Sequence, residues 1–481
     1  MPRTLTMRAP AAPFTDYAAR LLGEFCGVRI ERLNGAGTPD LHHGNDRAVA
    51  CGLRIPLVGG YGRDDVPGVP DAGDDPGRTG PWAPFPFDLF AALRFWLADE
   101  GNEALPADAW DAHGRLRVAS SAQEALGVRE VPIANAYLLL ARRWLSARFG
   151  VEDRPRHLRP GTRCTIVLSH DVDSPFSPLD LRPEARLVAR NARRGERRAA
   201  ATQAAGAVAR AAVFGTLARG RHWLFGDVMS EEGRRGLRST FFFSAASRFL
   251  DGGHPLDVRY DVGDPRLRAA CRELTEAGWD VGLHIGFAAG DDAARMAAER
   301  RRLEEIAGRE VLGSRHHYWH MTTPFWDSLE AHGEAGLRYD SSVAFDDAPG
   351  HRLGVALAFR PWHPRRGRAL PVLQVPTVAM DGTMFGNLRP WRLRDRAAMP
   401  AGEAEAVAGV AALIEQLKRF EGIAALDWHE YTSHPSSPLA AWGSAYLRIL
   451  DLIAGDPEID ARTHEELLAA APADRLLAGY P

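Results

Sequence analysis

Short apolar runs that stop abruptly at ionisable residues recur along the chain from Thr162 onward, with helical patterns between them. Cys164-Thr165-Ile166-Val167-Leu168 reads as a buried strand and leads into Ser169-His170-Asp171-Val172-Asp173. Thr240 to Phe243 is a second β-type run. Trp279 to Leu283 ends at His284, Val311-Leu312 ends at Arg315-His316-His317, and a strand near Arg338–Tyr339 ends at Asp340. Ile423 to Trp428 ends at His429, and a last short strand is expected near Ile459–Ala461. Between these runs the period changes from two to 3.6. Asp264 is an N-cap with Pro265 at the first helical position. Leu267, Ala270, Cys271 and Leu274 then keep helical spacing until Gly278 stops the helix. A further helix is expected around Asp292–Ala307 with Met296, Leu303 and Ile306 inward; another starts at Thr323-Pro324, and a final one runs from about Pro438 to Ala454. Alternating strands and helices imply a largely parallel sheet, and the pattern alone leaves open whether it is open or closed into a barrel.

Residues 1 to about 160 read as a separate unit. Positions 59–84 hold seven Gly, five Pro and five Asp, a composition that predicts a long surface loop. No EF-hand spacing makes it a calcium loop. Phe87 to Leu97 then reads as a largely buried helix, and the polar stretch Arg156 to Gly161 as a linker. One segment breaks the later rhythm. Residues 181–221 carry ten Arg against two Glu, within an insertion that extends to about 235. This reads as a basic helical hairpin, either simply solvated or offering a peripheral contact to an anionic membrane or polymer.

Composition changes this picture little. With 481 residues, two or three domains are expected. A hydrophobic share of 45% and a net charge of −3 are those of an ordinary globular chain and do not point to nucleic acid. Cys26, Cys51, Cys164 and Cys271 form no C-x-x-C pair, which argues against a zinc knuckle or a redox motif. Neither a continuous signal-peptide core nor an uncharged run long enough to span a bilayer is present, so a cytoplasmic protein is expected.

The candidate chemistry lies at the strand ends, where α/β folds gather catalytic groups. Asp171 with Asp173, then His284, Arg315 with His317, and His429 each follow a predicted strand. Placing two aspartates so close costs stability unless a cation or a reaction offsets the repulsion. A mixed His/carboxylate set with one open position suits Zn²⁺ or a related divalent ion. Such an ion lowers the pKa of a water to about 7. Two other motifs fail. His429 and His434 are one residue too far apart for H-E-x-x-H, and Pro435 argues for a loop. No G-x-S-x-G elbow follows a strand.

These stretches resemble the polysaccharide deacetylase (NodB-homology) superfamily over residues 162–481. The similar segments are Leu168 to Asp173, Ser239 to Phe243, Gly282-Leu283-His284, Ser314 to Tyr318, Tyr339 to Ser342 and Leu426 to His429. Pro86 to Phe90 also looks like part of the companion domain that precedes the catalytic domain in a bacterial subgroup. The resemblance implies a distorted (β/α) barrel, usually of seven strands, over 161–481, after a smaller α+β domain over 1–160. It implies a metal-dependent hydrolase of carbon–nitrogen bonds other than peptide bonds, acting on a carbohydrate. Asp171 would be the base, His429 the acid, and Arg315 the cation that keeps Asp171 ionised. Asp340 would orient a catalytic group. Asp173 and His284 would hold one divalent metal, Zn first, with Co, Ni and Mn as alternatives. The family's second metal-binding His, four residues after the first, is replaced by Ala288. His317 is the substitute expected here, with His316 and His320 behind it. Tyr318, Trp319 and Arg360 are candidates for a sugar groove, core packing being the other reading of the aromatics. Two rival functions stay open: a carbohydrate-binding protein without catalysis, which the lost His favours and the retained acid–base set opposes, and a hydrolase of another acyl–nitrogen bond.

Overall fold

Two parallel sheets carry most of the strands in the computed structural model, which describes residues 3–478 apart from 47, 59, 72–73, 77–82, 104, 178–181, 215–220, 251–252 and 386–398. The first sheet joins β1 (Arg3–Arg8), β2 (Val28–Arg32), β3 (Leu41–His43) and β4 (Leu53–Ile55) in the order β2-β1-β3-β4. All three pairings are parallel, because helix α1 (Pro13–Cys26) carries the chain back between β1 and β2. Helices α2 (Leu89–Leu97) and α3 (Ile133–Phe149) complete this unit. The helix predicted from Phe87 is α2, capped by Asp88, whose side chain accepts from the Ala91 N–H. Of the loop predicted over 59–84, positions 59, 72–73 and 77–82 lie outside the described residues; Val66 is buried in the N-terminal core.

The second sheet is the larger. Its strands are β5 (Cys164–Val172), β6 (Ser239–Phe243), β7 (Asp280–Ile285), β8 (Gly313–His316) and β9 (Tyr339–Asp340). A separate antiparallel hairpin, β10 (Trp362–His363) with β11 (Arg368–Ala369), follows. Then come β12 (Leu373–Gln374), β13 (Thr377–Met380), β14 (Ile423–Asp427) and β15 (Ile459–Arg462). The order is β12-β9-β8-β7-β6-β5-β14-β13, every pairing parallel, with β15 also on β5. The two edge strands, β12 and β13, are separated only by Val375 and Pro376. The Val375 N–H donates to the Asp340 carbonyl at 2.9 Å, and the Ala425 N–H to the Pro376 carbonyl at 2.8 Å. One short stretch of chain therefore borders both edges, and the eight strands of this order curl into a distorted barrel. That resolves the choice between barrel and open sheet.

Around the barrel lie α6 (Phe225–Gly233), α7 (Pro265–Glu276), α8 (Ala293–Ala307), α9 (Trp326–Glu334), α10 (Met399–Arg419), α11 (Ala440–Gly455) and α12 (His464–Ala469). They are preceded in the chain by α4 (Arg182–Arg193) and α5 (Arg197–Phe214), within the basic segment; its positions 181 and 215–220 lie outside the described residues. Asp264 and Asp292 cap α7 and α8 as expected. Among the described residues no helix is long and apolar enough to cross a membrane.

Strand alternation sorts the side chains. Cys164, Ile166, Leu168 and Val172 of β5 join the apolar layer beneath the helices. Val167 packs instead with Phe242, Tyr339, Leu373, Val375 and Ala425 inside the barrel. Residues of odd number on β5 therefore point inward, and Asp171 and Asp173 share that face.

Candidate active site and metal centre

The inward parity repeats on each strand that ends at the site. His284 on β7, Arg315 on β8 with His317 just beyond it, and Asp427 on β14 with His429 just beyond it all converge on Asp171 and Asp173. The His284 Nε2 and the His317 Nε2 each lie 3.4 Å from Asp173 Oδ1. These three residues offer ligand atoms within 4.8 Å of one another. Asp173 Oδ1 is buried and accepts no hydrogen bond. The His284 Nδ1–H donates to the Arg315 carbonyl at 3.1 Å, which turns Nε2 toward Asp173. An orphaned carboxylate oxygen between two imidazoles fits a divalent cation, and this donor set is one zinc favours.

Beside this trio, Arg315 is fully buried and its donors fan across the barrel. Nε donates to the Ser341 carbonyl at 3.0 Å, and Nη2 to the Ser341 and Thr377 hydroxyls. Its guanidinium stacks 4.6 Å from the Phe242 ring centre. Nη1 donates to Asp171 Oδ1 at 2.9 Å and lies 2.8 Å from Asp427 Oδ1. One cation cannot neutralise two buried carboxylates. Burial pushes the Asp171 carboxyl up, but the Arg315 charge, with His284 and His429, outweighs it and holds Asp171 below the usual range. Asp427, whose oxygens accept no hydrogen bond, is pushed up to about 7 by burial and by the Asp171 charge. The two carboxyls are thus pushed apart, Asp171 down and Asp427 up.

His429 is held from behind by Asp381. Its Nδ1–H donates to Asp381 Oδ1 at 2.9 Å, and its backbone N–H donates to Oδ2 at 3.0 Å. The Thr432 hydroxyl also donates to Oδ2. Burial disfavours the charged ring, but the Asp381 carboxylate outweighs it and lifts the His429 pKa well above the usual histidine value. Nε2 is left facing the cluster, 3.6 Å from Asp173 Oδ2. Glu430 accepts from the Asp173 and Ser174 N–H groups, so it fixes the loop that carries the Asp173 carboxylate.

No family model matches the sequence, and no curated protein does. Among solved structures the chain is similar to a "putative polysaccharide deacetylase" from Mycobacterium smegmatis, at 16% identity and a TM-score of 0.42, over 68% of this chain and 96% of that one. It is similar to a "probable polysaccharide deacetylase" from Pseudomonas aeruginosa, at 13% identity and a TM-score of 0.39, over 67% and 95% of the two chains. A CE4 family pseudoenzyme from Bacillus anthracis is similar at 8% identity and a TM-score of 0.29, over 66% and 71%.

The convergence takes in Asp171, Asp173, His284, Arg315, His317 and His429. It does not take in Asp340, which sits on the outer face of β9. There it accepts from the Ser342 N–H and hydroxyl and lies 3.4 Å from His332 Nδ1. His316 also faces outward, its Nε2 2.7 Å from His332 Nε2, because it is one residue out of phase with Arg315 and His317. His320 stacks on Phe287, and Ala288 is solvent-exposed at the rim. Arg360 lies away from the site, bonded to the carbonyls of Arg475 and Pro371, so the groove expected to include it does not. Trp319 is buried, whereas Tyr318 stays exposed beside His317. Two carboxylates of this cluster, Asp427 and Asp381, were missed by sequence reasoning. Asp427 had a signal, since it lies two residues before His429 on the same strand face. Asp381 ends the run Thr377-Val378-Ala379-Met380, a strand too short to stand out.

Proposed function

We propose that this chain is a metal-dependent hydrolase that removes an acetyl group from nitrogen on an N-acetylated sugar. The observation that carries the reading is the split of charge around the trio: an ionised Asp171 on one side and a protonated His429 on the other. A pure binding site has no need of such a pair. Asp173, His284 and His317 would hold the ion. When bound, a divalent ion there supplies Lewis-acid polarisation of the acyl oxygen and a readily deprotonated water. Asp171, kept ionised by Arg315, takes the proton of the water that attacks the acyl carbon. His429, protonated and aligned by Asp381, gives its Nε2 proton to the departing amine as the C–N bond breaks. The proton of the product acid passes to the amine, so acetate and the protonated amino sugar leave, and the proton on Asp171 returns to His429. Asp427, pushed up to about 7, is the harder of the two carboxyls to ionise and so leaves more of the Arg315 charge to Asp171. Resemblance of the motifs to the polysaccharide deacetylases supports the same substrate class and Zn²⁺ as the preferred ion.

The test combines metal analysis with acetate release from N-acetylglucosamine oligomers. Protein purified without chelators is expected to hold close to one divalent ion per chain by plasma mass spectrometry. Asp171→Asn should keep that ion and lose turnover by about 10²–10⁴-fold. His317→Ala should lower metal occupancy. Turnover that survives Asp171→Asn would remove the base, and full occupancy in His317→Ala would remove the third ligand. A wild-type chain that takes up no ion after soaking would sink the reading as a whole.

A further inference from the structure

The geometry points to a carbohydrate subsite built by both parts of the chain: His113, from the loop 110–116 of the N-terminal region, and Tyr318, on the rim of the trio, hold a second sugar ring next to the one that reacts. The inference rests on the function proposed above for its ligand class, but on separate residues for its geometry.

The loop is a rigid arm. Trp110 bridges Leu116 in antiparallel fashion, and the Asp111 N–H donates to the Arg115 carbonyl at 2.9 Å. Asp111 Oδ1 accepts the N–H groups of His113 and Arg115 at 2.8 and 3.0 Å. The arm is fastened to the barrel at three points. Arg115 Nη1 donates to the Tyr318 carbonyl at 2.9 Å, Arg115 pairs with Asp346 at 2.5 Å, and the Thr323 hydroxyl donates to the Gly114 carbonyl at 2.9 Å.

This fastening positions a group of rings at the mouth of the site. The His113 ring lies 5.6 Å from Tyr318 and 5.4 Å from Phe287. Phe287 is itself stacked between His254 and His320, at 4.7 and 3.9 Å. Tyr318 lies 4.4 Å from His317, so the platform begins one ring away from the trio. Tyr318 and Trp319 both adopt left-handed backbone angles, φ 59° and 49°. Bulky residues hold that conformation only where the surroundings enforce it, and such strain gathers at ligand clamps. Its effect here is to bury Trp319 and turn Tyr318 out, 42% exposed. Among the described residues neither the Tyr318 hydroxyl nor a His113 ring nitrogen makes a hydrogen bond. A pyranose ring presents an apolar C–H face to an aromatic ring and hydroxyls at its edge. A fixed, exposed phenol beside an imidazole with free polar atoms matches both demands at little entropic cost.

Isothermal titration calorimetry on the full chain tests this with N-acetylglucosamine and its β-1,4-linked oligomers. The wild type is expected to bind oligomers more tightly than the monomer. His113→Ala should shrink that preference at least about tenfold, and Tyr318→Ala should do the same. His113 is half-buried, and the melting temperature of its variant checks that the fold is kept. In acetate release, His113→Ala should raise KM for oligomers more than it lowers kcat. Oligomer binding as tight in both variants as in the wild type would overturn the subsite, as would a wild type that does not distinguish oligomer from monomer. Binding that depends on His113 without any acetate release would uphold the subsite and sink the deacetylase reading. Release that both variants leave unaltered would do the reverse.

Discussion

Asp427 shows how one side chain reports on its neighbours. It is buried against Arg315 and Asp171, with no hydrogen-bond donor aligned on it, and its pKa rises from 3.8 to about 7. In the unfolded chain it ionises near the lower value. Between the two values the folded state holds one more proton than the unfolded state, so this residue's contribution to stability is full below about pH 4 and is lost as pH rises towards 7. Asp427→Asn carries no such proton and keeps the shape of the site. Urea unfolding at pH 8 should therefore find the variant more stable than the wild type by over about 1 kcal/mol, with the difference vanishing at pH 4. A variant less stable at pH 8 would show that the pairing with Arg315 outweighs burial and the Asp171 charge, so that the Asp427 carboxyl is not raised. The inward residues were legible in the sequence because strand parity is strict: Asp171, Asp173, His284, Arg315, His317 and His429 needed only the strand ends. Asp340 failed the same test. It looked like another strand-end carboxylate, but β9 has two residues, too few for its phase to be read from an apolar pattern.

At the scale of the element, the strand that delivers His284 is packed without spare room. Gly282 on β7 faces the barrel interior, and a Cβ there would meet the Phe242 ring at 2.5 Å. Phe242 in turn carries the Arg315 guanidinium on its face. Overpacking a barrel interior typically costs about 1–3 kcal/mol. Gly282→Ala should lower stability by that amount and depress turnover, because a displaced Phe242 moves the cation that keeps Asp171 ionised. Denaturant titration and acetate release would check it; a stable variant with wild-type turnover would mean that the ring yields without disturbing Arg315. The helices and long strands were readable from pattern, cap and period. Short strands were not. The sequence places β8 at Val311-Leu312, whereas the strand runs Gly313–His316, and β12 with β13 escapes notice although it closes the barrel. Closure depends on pairings between distant strands, and local hydrophobicity carries little trace of them.

The whole molecule joins its two parts through a shared interior rather than a linker alone. One apolar cluster runs from Leu5, Phe25 and Trp96 to Leu353, Leu357, Phe359, Phe420 and Leu477. Two ion pairs span the same boundary: Arg142 with Glu421, and Arg352 with Asp99, each at 2.7 Å with both terminal nitrogens engaged. Asn135 of α3 accepts the Ala356 N–H and donates to the carbonyls of Ala356 and Phe420. A polar linker at 156–161 suggested in the sequence that the parts are separable; burial of residues from both in one core argues otherwise. Cutting the chain there would expose the apolar cluster and leave buried Arg352 without its carboxylate, and breaking one such pair costs about 3–5 kcal/mol. Native stability is itself only about 5–15 kcal/mol. Residues 161–481 expressed alone should therefore be insoluble or bind a hydrophobic dye. The intact chain should unfold in one calorimetric transition, with the van't Hoff and calorimetric enthalpies in agreement. Two resolved transitions, or a soluble and cooperatively folded 161–481 fragment, would show that the N-terminal part is an attachment. In that case the arm carrying His113 could be removed without loss of the barrel, and oligomer binding by the fragment would measure directly what the arm adds to the site.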